Sequence, residues 1–116
     1  MLVSLDGEWG LSMRLSGTTR FPKNMMLGAI EDNALIEEYG KEVGRQCREM
    51  GIHINFAPDM DVNSNVDNPV IGLRSFGENP EAVAEKGIAY ARGLESTGIL
   101  SVSKHFPGHG DTSCLL

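Results

Sequence analysis

Two amphipathic helical patterns stand between three short β-permissive runs, and this alternation constrains the fold more than any other feature of the chain. Over residues 33–50, Leu35, Ile36, Tyr39, Val43, Cys47 and Met50 recur every three to four positions, the period of one helix face. Gly51 then provides a stop, since glycine enters the left-handed conformation freely. The second helix opens at Asn79-Pro80. Asn79 is a side-chain cap, Pro80 fits the first turn, and Glu81 lies near the positive end of the helix dipole. Val83, Ala84, Gly87, Ile88, Ala91 and Leu94 form its expected inner stripe, and Gly98 closes it. The strands are expected within residues 2–5, 52–57 and 99–102. In the second, Ile52, Ile54 and Phe56 alternate with His53 and Asn55 until Pro58 ends the run. A loop over residues 14–23 and a short helix within 24–30 complete the pattern.

Strand, helix, strand, helix, strand predicts parallel βαβ units, an α/β architecture. Asp6, Asp59, Asp61, Arg74, Lys104 and His105 all follow strand ends. In a (β/α)8 barrel, the loops at the C-terminal ends of the strands build the active site. That placement suits a partial (β/α)8 TIM barrel over residues 1–116, one of the parallel α/β architectures the alternation allows. A complete barrel takes about 250 residues, so a chain of 116 spans about three to four βα units. Uncovered strand edges then predict partial folding or self-association.

Several polar residues have two readings at this level. Asp6 either accepts hydrogen bonds from ligand hydroxyls or caps loop amides. Arg74 either reaches into a cleft or pairs with Glu78 at the surface, and Trp9 either packs or stacks on a ligand. From Lys104 to Asp111, Pro107 and two glycines set an irregular loop, in which Lys and His can donate to hydroxyls or a carboxylate. A metal reading of His105, His109 and Asp111 is weak, with no cysteine and no ligand spacing to support it, so no metal is expected. Asp59 and Asp61 form a carboxylate pair whose separation sequence does not give. Cys47 is expected in the core, and Cys47 and Cys114 match no metal pattern.

No Gly-x-Gly-x-x-Gly, phosphate loop or Gly-x-Ser-x-Gly elbow occurs, so no cofactor is expected. A net charge of −6 without a basic run argues against nucleic acid. No apolar stretch approaches the roughly 20 residues of a membrane span.

Four segments, in order, resemble the N-terminal barrel domain of glycoside hydrolase family 3, on its β-N-acetylhexosaminidase side. Asp6-Gly7-Glu8-Trp9-Gly10 with Arg14 looks like the family's Asp-x-Glu-Gly-Gly stretch and following Arg. Residues 55–62 look like its Asn-x-Ala-Pro-x-x-Asp-Val strand, and Arg74-Ser75-Phe76-Gly77 like its Arg-Ser-Phe-Gly loop. Residues 104–112 look like its Lys-His-Phe-Pro-Gly-His-Gly-Asp-Thr signature. The resemblance implies that Asp6, Arg14, Arg74, Lys104 and His105 hold a terminal N-acetylglucosamine by its hydroxyls, while His109 and Asp111 shape the loop. It implies a retaining hydrolase of β-linked N-acetylhexosamine, with a glycan or peptidoglycan fragment as partner.

Two departures stand out. Trp9 replaces the first glycine of the Gly-Gly pair. Leu115 and Leu116 fall where the family carries the Asp and Ser of an Asp-Ser-His stretch, the position of its acid/base His falls beyond Leu116, and its nucleophilic Asp lies further downstream still. No catalytic residue is therefore assigned, and these 116 residues are expected to grip sugar without turnover. The alternatives are a β-glucosidase-type member and a non-catalytic sugar-binding remnant.

Overall fold

The structure, a computed structural model, describes residues 1–113; Cys114, Leu115 and Leu116, on which one of those departures rests, lie outside the described residues. Three parallel strands, β1 (Ser4–Leu5), β2 (Ile54–Asn55) and β3 (Leu100–Ser101), lie side by side in chain order. Ser4 pairs with Ile54, and Ile54 with Leu100. Parallel neighbours need crossovers, and helices supply both. A short helix α1 (Asn24–Leu27) and a long helix α2 (Asn33–Glu49) link β1 to β2, and α3 (Pro80–Ser96) links β2 to β3. The strands are two residues each, shorter than the apolar runs that mark them.

Both long helices start where local chemistry places them. Asp32 caps α2 by accepting from the Ala34 amide, and Asn79 caps α3 by accepting from the Ala82 amide. Gly51 and Gly98 follow their ends with positive φ, 74° and 86°.

α2 and α3 form one layer. Ile36, Val43 and Cys47 meet Val83, Tyr90 and Leu94 in a core that also takes Ile52, Ala57 and Ile99 from the strand segments. Two glycines set how closely the helices approach. A Cβ on Gly93 would lie 1.9 Å from the Glu37 carbonyl oxygen, and one on Gly40 would lie 2.3 Å from the Tyr90 carbonyl oxygen.

The inner stripe of α3 is turned from the expected one. Tyr90 and Lys86 are buried while Ile88 is 48% exposed. The Lys86 ammonium is satisfied there by the Ile30 carbonyl and by Asn33 Oδ1, so a charge sits where an apolar residue was expected. Leu35 and Met50 likewise lie on the outer face of α2. In the second strand run, Asn55 and Ala57 face the helices, and Phe56 lies 40% exposed on the other side. The polar Asn55 is interior because both ends of its side chain are used (below).

Helix contact through glycine predicts a sharp asymmetry between two alanine substitutions. Gly93→Ala forces backbone against backbone and is expected to lower stability by about 1–3 kcal/mol. Gly87→Ala meets only the flexible Met60 side chain, and alanine's better helix propensity offsets the strain to within about 1 kcal/mol. Urea unfolding followed by circular dichroism measures both; equal midpoints would refute the packing account.

Candidate functional site

The loops that leave the three strands converge on one buried carboxylate. Glu8, just beyond β1, is 1% exposed. Arg74 donates to it through two nitrogens, Nη2 to Oε1 at 2.7 Å and Nε to Oε2 at 3.1 Å. Lys104, just beyond β3, places Nζ 2.7 Å from Oε1. A buried charge this deep requires such pairing, and the forked guanidinium supplies the most directional form of it.

Backbone contacts fix each partner. Asn55 of β2 donates Nδ2 to the Gly7 carbonyl at 3.0 Å and accepts from the Gly7 amide at 2.9 Å, which pins the loop carrying Asp6 and Glu8. Asn24 of α1 donates to the Arg74 carbonyl at 2.8 Å. Lys104 forms an isolated parallel bridge with Asp59, through the Met60 amide to the Lys104 carbonyl at 2.7 Å and the Lys104 amide to the Pro58 carbonyl at 3.1 Å.

The remaining groups form a second tier. Asp6 accepts from Lys104 Nζ at 2.5 Å and is also paired with Arg14, whose Nε donates to the Asp6 carbonyl at 3.0 Å. Burial alone would raise the Asp6 carboxyl, but Lys104 and Arg14 hold it below the usual carboxylate range. His105 Nδ1 lies 2.5 Å from Asp61 Oδ2, and the His109 amide donates to Asp61 Oδ1 at 2.7 Å. Burial also opposes ionisation of Asp61, yet the His105 contact brings it net below the usual range. Asp59 goes the other way. Its side chain is fully buried, Oδ2 has no hydrogen-bond partner, and the nearest cation, Arg74 Nε, stands 3.7 Å away. Burial pushes Asp59 up to about 8, with the neighbouring Asp61 and Glu8 charges adding to the shift.

Of the residues singled out in the sequence, Asp6, Arg14, Arg74, Lys104 and His105 are brought together. Arg74 turns inward to Glu8. His109 lies beside Asp61 with its ring 6.0 Å from that of His105, while Asp111 is exposed at the surface. Trp9 is half-buried under Lys23, whose Nζ stands 5.3 Å from the ring centroid. An open cleft of about 300 Å³ is lined by Asp61, Lys104, His105 and Phe106 among others. Asp59, Asp61 and His105 each bring a potential ligand atom within 4.8 Å of the others. Within the trio, Asp59 Oδ2 faces Arg74 Nε at 3.7 Å and Asp61 Oδ2 faces His105 Nδ1 at 2.5 Å. Sequence reasoning missed Glu8 and Asn55 as organisers. Glu8 lies within a motif, but its partner Arg74 is 66 residues away, and nothing local marks the pair.

Comparisons with known proteins agree with one another. The glycosyl hydrolase family 3 N-terminal domain matches residues 1–115. Beta-hexosaminidase A of Pseudoalteromonas piscicida is 41% identical over 97% of this chain, which spans 20% of that protein. A protein of Cellulomonas fimi named beta-N-acetylglucosaminidase/beta-glucosidase is 32% identical over 95% of this chain and 20% of its own length. Among solved structures, a family 3 beta-N-acetylglucosaminidase from Paenibacillus sp. superposes with a TM-score of 0.91 at 46% identity, covering 97% of this chain and 22% of that one. The chain thus spans about a fifth of the length of these relatives.

Two predictions follow from the charges. Glu8→Gln leaves Arg74 and Lys104 without their shared anion and is expected to cost about 3 kcal/mol, the low end for breaking a buried pair, because both cations keep some solvent contact. Calorimetric unfolding measures this. Asp59 gives a pH signature. Folded Asp59 keeps its proton up to about 8, whereas an unfolded Asp releases it near 4. Across that window the folded state binds more protons, so stability falls as pH rises. Asp59→Asn should flatten this slope between pH 4 and 8; an unchanged slope contradicts the assignment.

Proposed function

The chain belongs to glycosyl hydrolase family 3, in the N-terminal domain of that family, and from that premise we propose that it is the sugar-gripping part of a retaining glycosidase that removes terminal β-linked N-acetylhexosamine. In this reading Asp6, Arg14, Arg74, Lys104 and His105 hold the hydroxyls of an N-acetylglucosamine at the end of a glycan or peptidoglycan fragment. One observation carries it. Carboxylate, guanidinium, ammonium and imidazole groups, from loops following three adjacent parallel strands, meet in one cluster, and Asp61, Lys104 and His105 of that cluster line an open cleft. Such a set offers both donors and acceptors to a neutral polyol. The hexosaminidase names of similar proteins support the sugar class. Three parallel strands in chain order, bridged by helices, also suit an arc of about three βα units of a (β/α)8 barrel, with residues 1–116 as one piece of that domain.

Gripping does not entail turnover. Retaining hydrolysis needs one carboxylate free to attack and a second group to move the proton. In this cluster Asp6, Glu8 and Asp61 are each engaged by cations or by donors, and Asp59 is buried and biased toward its protonated form. We therefore propose that these 116 residues bind sugar without hydrolysing it.

Isothermal titration with N-acetylglucosamine should show binding, and 4-nitrophenyl N-acetyl-β-glucosaminide should release no nitrophenol. Measurable turnover by the pure chain would sink this reading. The double name of the Cellulomonas fimi relative makes glucose the competing ligand; tighter binding of glucose would favour a β-glucosidase-type member. Asp6→Asn keeps the shape of a partly exposed side chain but removes its charge, and should weaken sugar binding about tenfold or more.

A further inference from the structure

The ring of His105 lies between two groups whose hydrogen-bonding character is fixed. On one side is Arg74, whose guanidinium has donors and no acceptor and is always protonated. Its Nη2 lies 3.3 Å from His105 Nε2. That contact is a hydrogen bond only if Nε2 carries no proton. On the other side is Asp61, 1% exposed at its side chain, with Oδ2 2.5 Å from His105 Nδ1. An ionised carboxylate only accepts, and His105 helps keep Asp61 on the ionised side. Both neighbours demand the same proton placement.

We infer that Asp61 is a positioning residue that fixes His105 in the tautomer protonated on Nδ1, leaving Nε2 as an acceptor. The hydrogen bonds then run in one direction. Arg74 donates to Glu8 on one side and to His105 on the other, and His105 donates onward to Asp61. The guanidinium is clamped between two acceptors, so its orientation is set before ligand arrives. Resting on the sugar-binding reading above, this has a consequence for selectivity. A hydroxyl that meets Nε2 must donate to it, and a methyl ether at that place has nothing to give.

Asp61 suits this role because it has two acceptor oxygens and both are used. Oδ1 takes the His109 amide at 2.7 Å while Oδ2 takes the ring. Asp61→Asn leaves one acceptor for two donors. The His109 backbone N–H cannot change, whereas the ring can move its proton. The carboxamide oxygen therefore stays on His109 and the new NH2 faces His105 Nδ1. The ring proton moves to Nε2, donor against donor with Arg74. Replacement of the orienting Asp by Asn in a serine protease triad puts its histidine in the wrong tautomer by the same logic.

The test is ring-nitrogen NMR of the 15N-labelled chain at neutral pH. His53 supplies an internal standard of opposite sense. The Val3 amide donates to His53 Nδ1 at 3.1 Å, so His53 carries its proton on Nε2. The expected spectrum shows His105 protonated on Nδ1 and bare on Nε2, the reverse of His53. In D61N the His105 pattern should invert while His53 stays as it was, and N-acetylglucosamine affinity should fall about tenfold. A wild-type His105 protonated on Nε2, or on both nitrogens, overturns the inference, as does a folded D61N with an unchanged ring. Should D61N not fold, the wild-type spectrum decides by itself. If the tautomer is as stated and N-acetylglucosamine does not bind to the wild-type chain, the sugar-binding reading falls and the role of Asp61 stands.

Discussion

The carboxylate of Glu8 is the constraint around which this architecture is organised. Leaving such a group ionised and buried without partners costs several kcal/mol. Its partners come from far along the chain, Arg74 from the loop after β2 and Lys104 from the end of β3. Burying Glu8 therefore requires all three strand ends to be in place together. The pairing acts as a condition on the fold as well as a feature of the site. Asn55 strengthens the condition, because its side chain ties the Glu8 loop to β2 by two reciprocal bonds.

Charge balance in the cluster follows from the same constraint. Asp6, Glu8, Asp59 and Asp61 face Arg14, Arg74 and Lys104, so fully ionised carboxylates would outnumber the cations by one. Asp59 is the most buried of the four without a direct cation bond, and burial biases it toward keeping its proton. With that proton retained, three anions match three cations.

Much of the scaffold was legible because its signals are local. Capping residue Asn79, stop residues Gly51 and Gly98 and the apolar spacing of α2 depend on neighbours within a few positions. The positions of Asp6, Arg74, Lys104 and His105 after strand ends were equally visible, since a strand-helix alternation orders its loops automatically. What stayed hidden depends on long-range partners. The burial of Lys86 is decided by the Ile30 carbonyl and Asn33 on the preceding loop and helix. The inward face of β2 is polar because Asn55 meets Gly7, which the alternation of Ile52, Ile54 and Phe56 does not reveal. The role of Gly40 and Gly93 comes from the close crossing of α2 and α3, which no local pattern marks.

A site this thoroughly paired has a particular chemical character. Catalytic groups are effective when their environment leaves a proton or lone pair available near working pH. Here Glu8 is committed to two cations, Asp61 to His105 and the His109 amide, and Asp6 to Lys104 and Arg14. Such commitment lowers reactivity and raises rigidity together, since each side chain is held by more than one bond. A neutral sugar gains from that rigidity: little orienting entropy remains to be lost when it docks. In the proposed sugar-binding role, the network would hold a ring at a fixed angle.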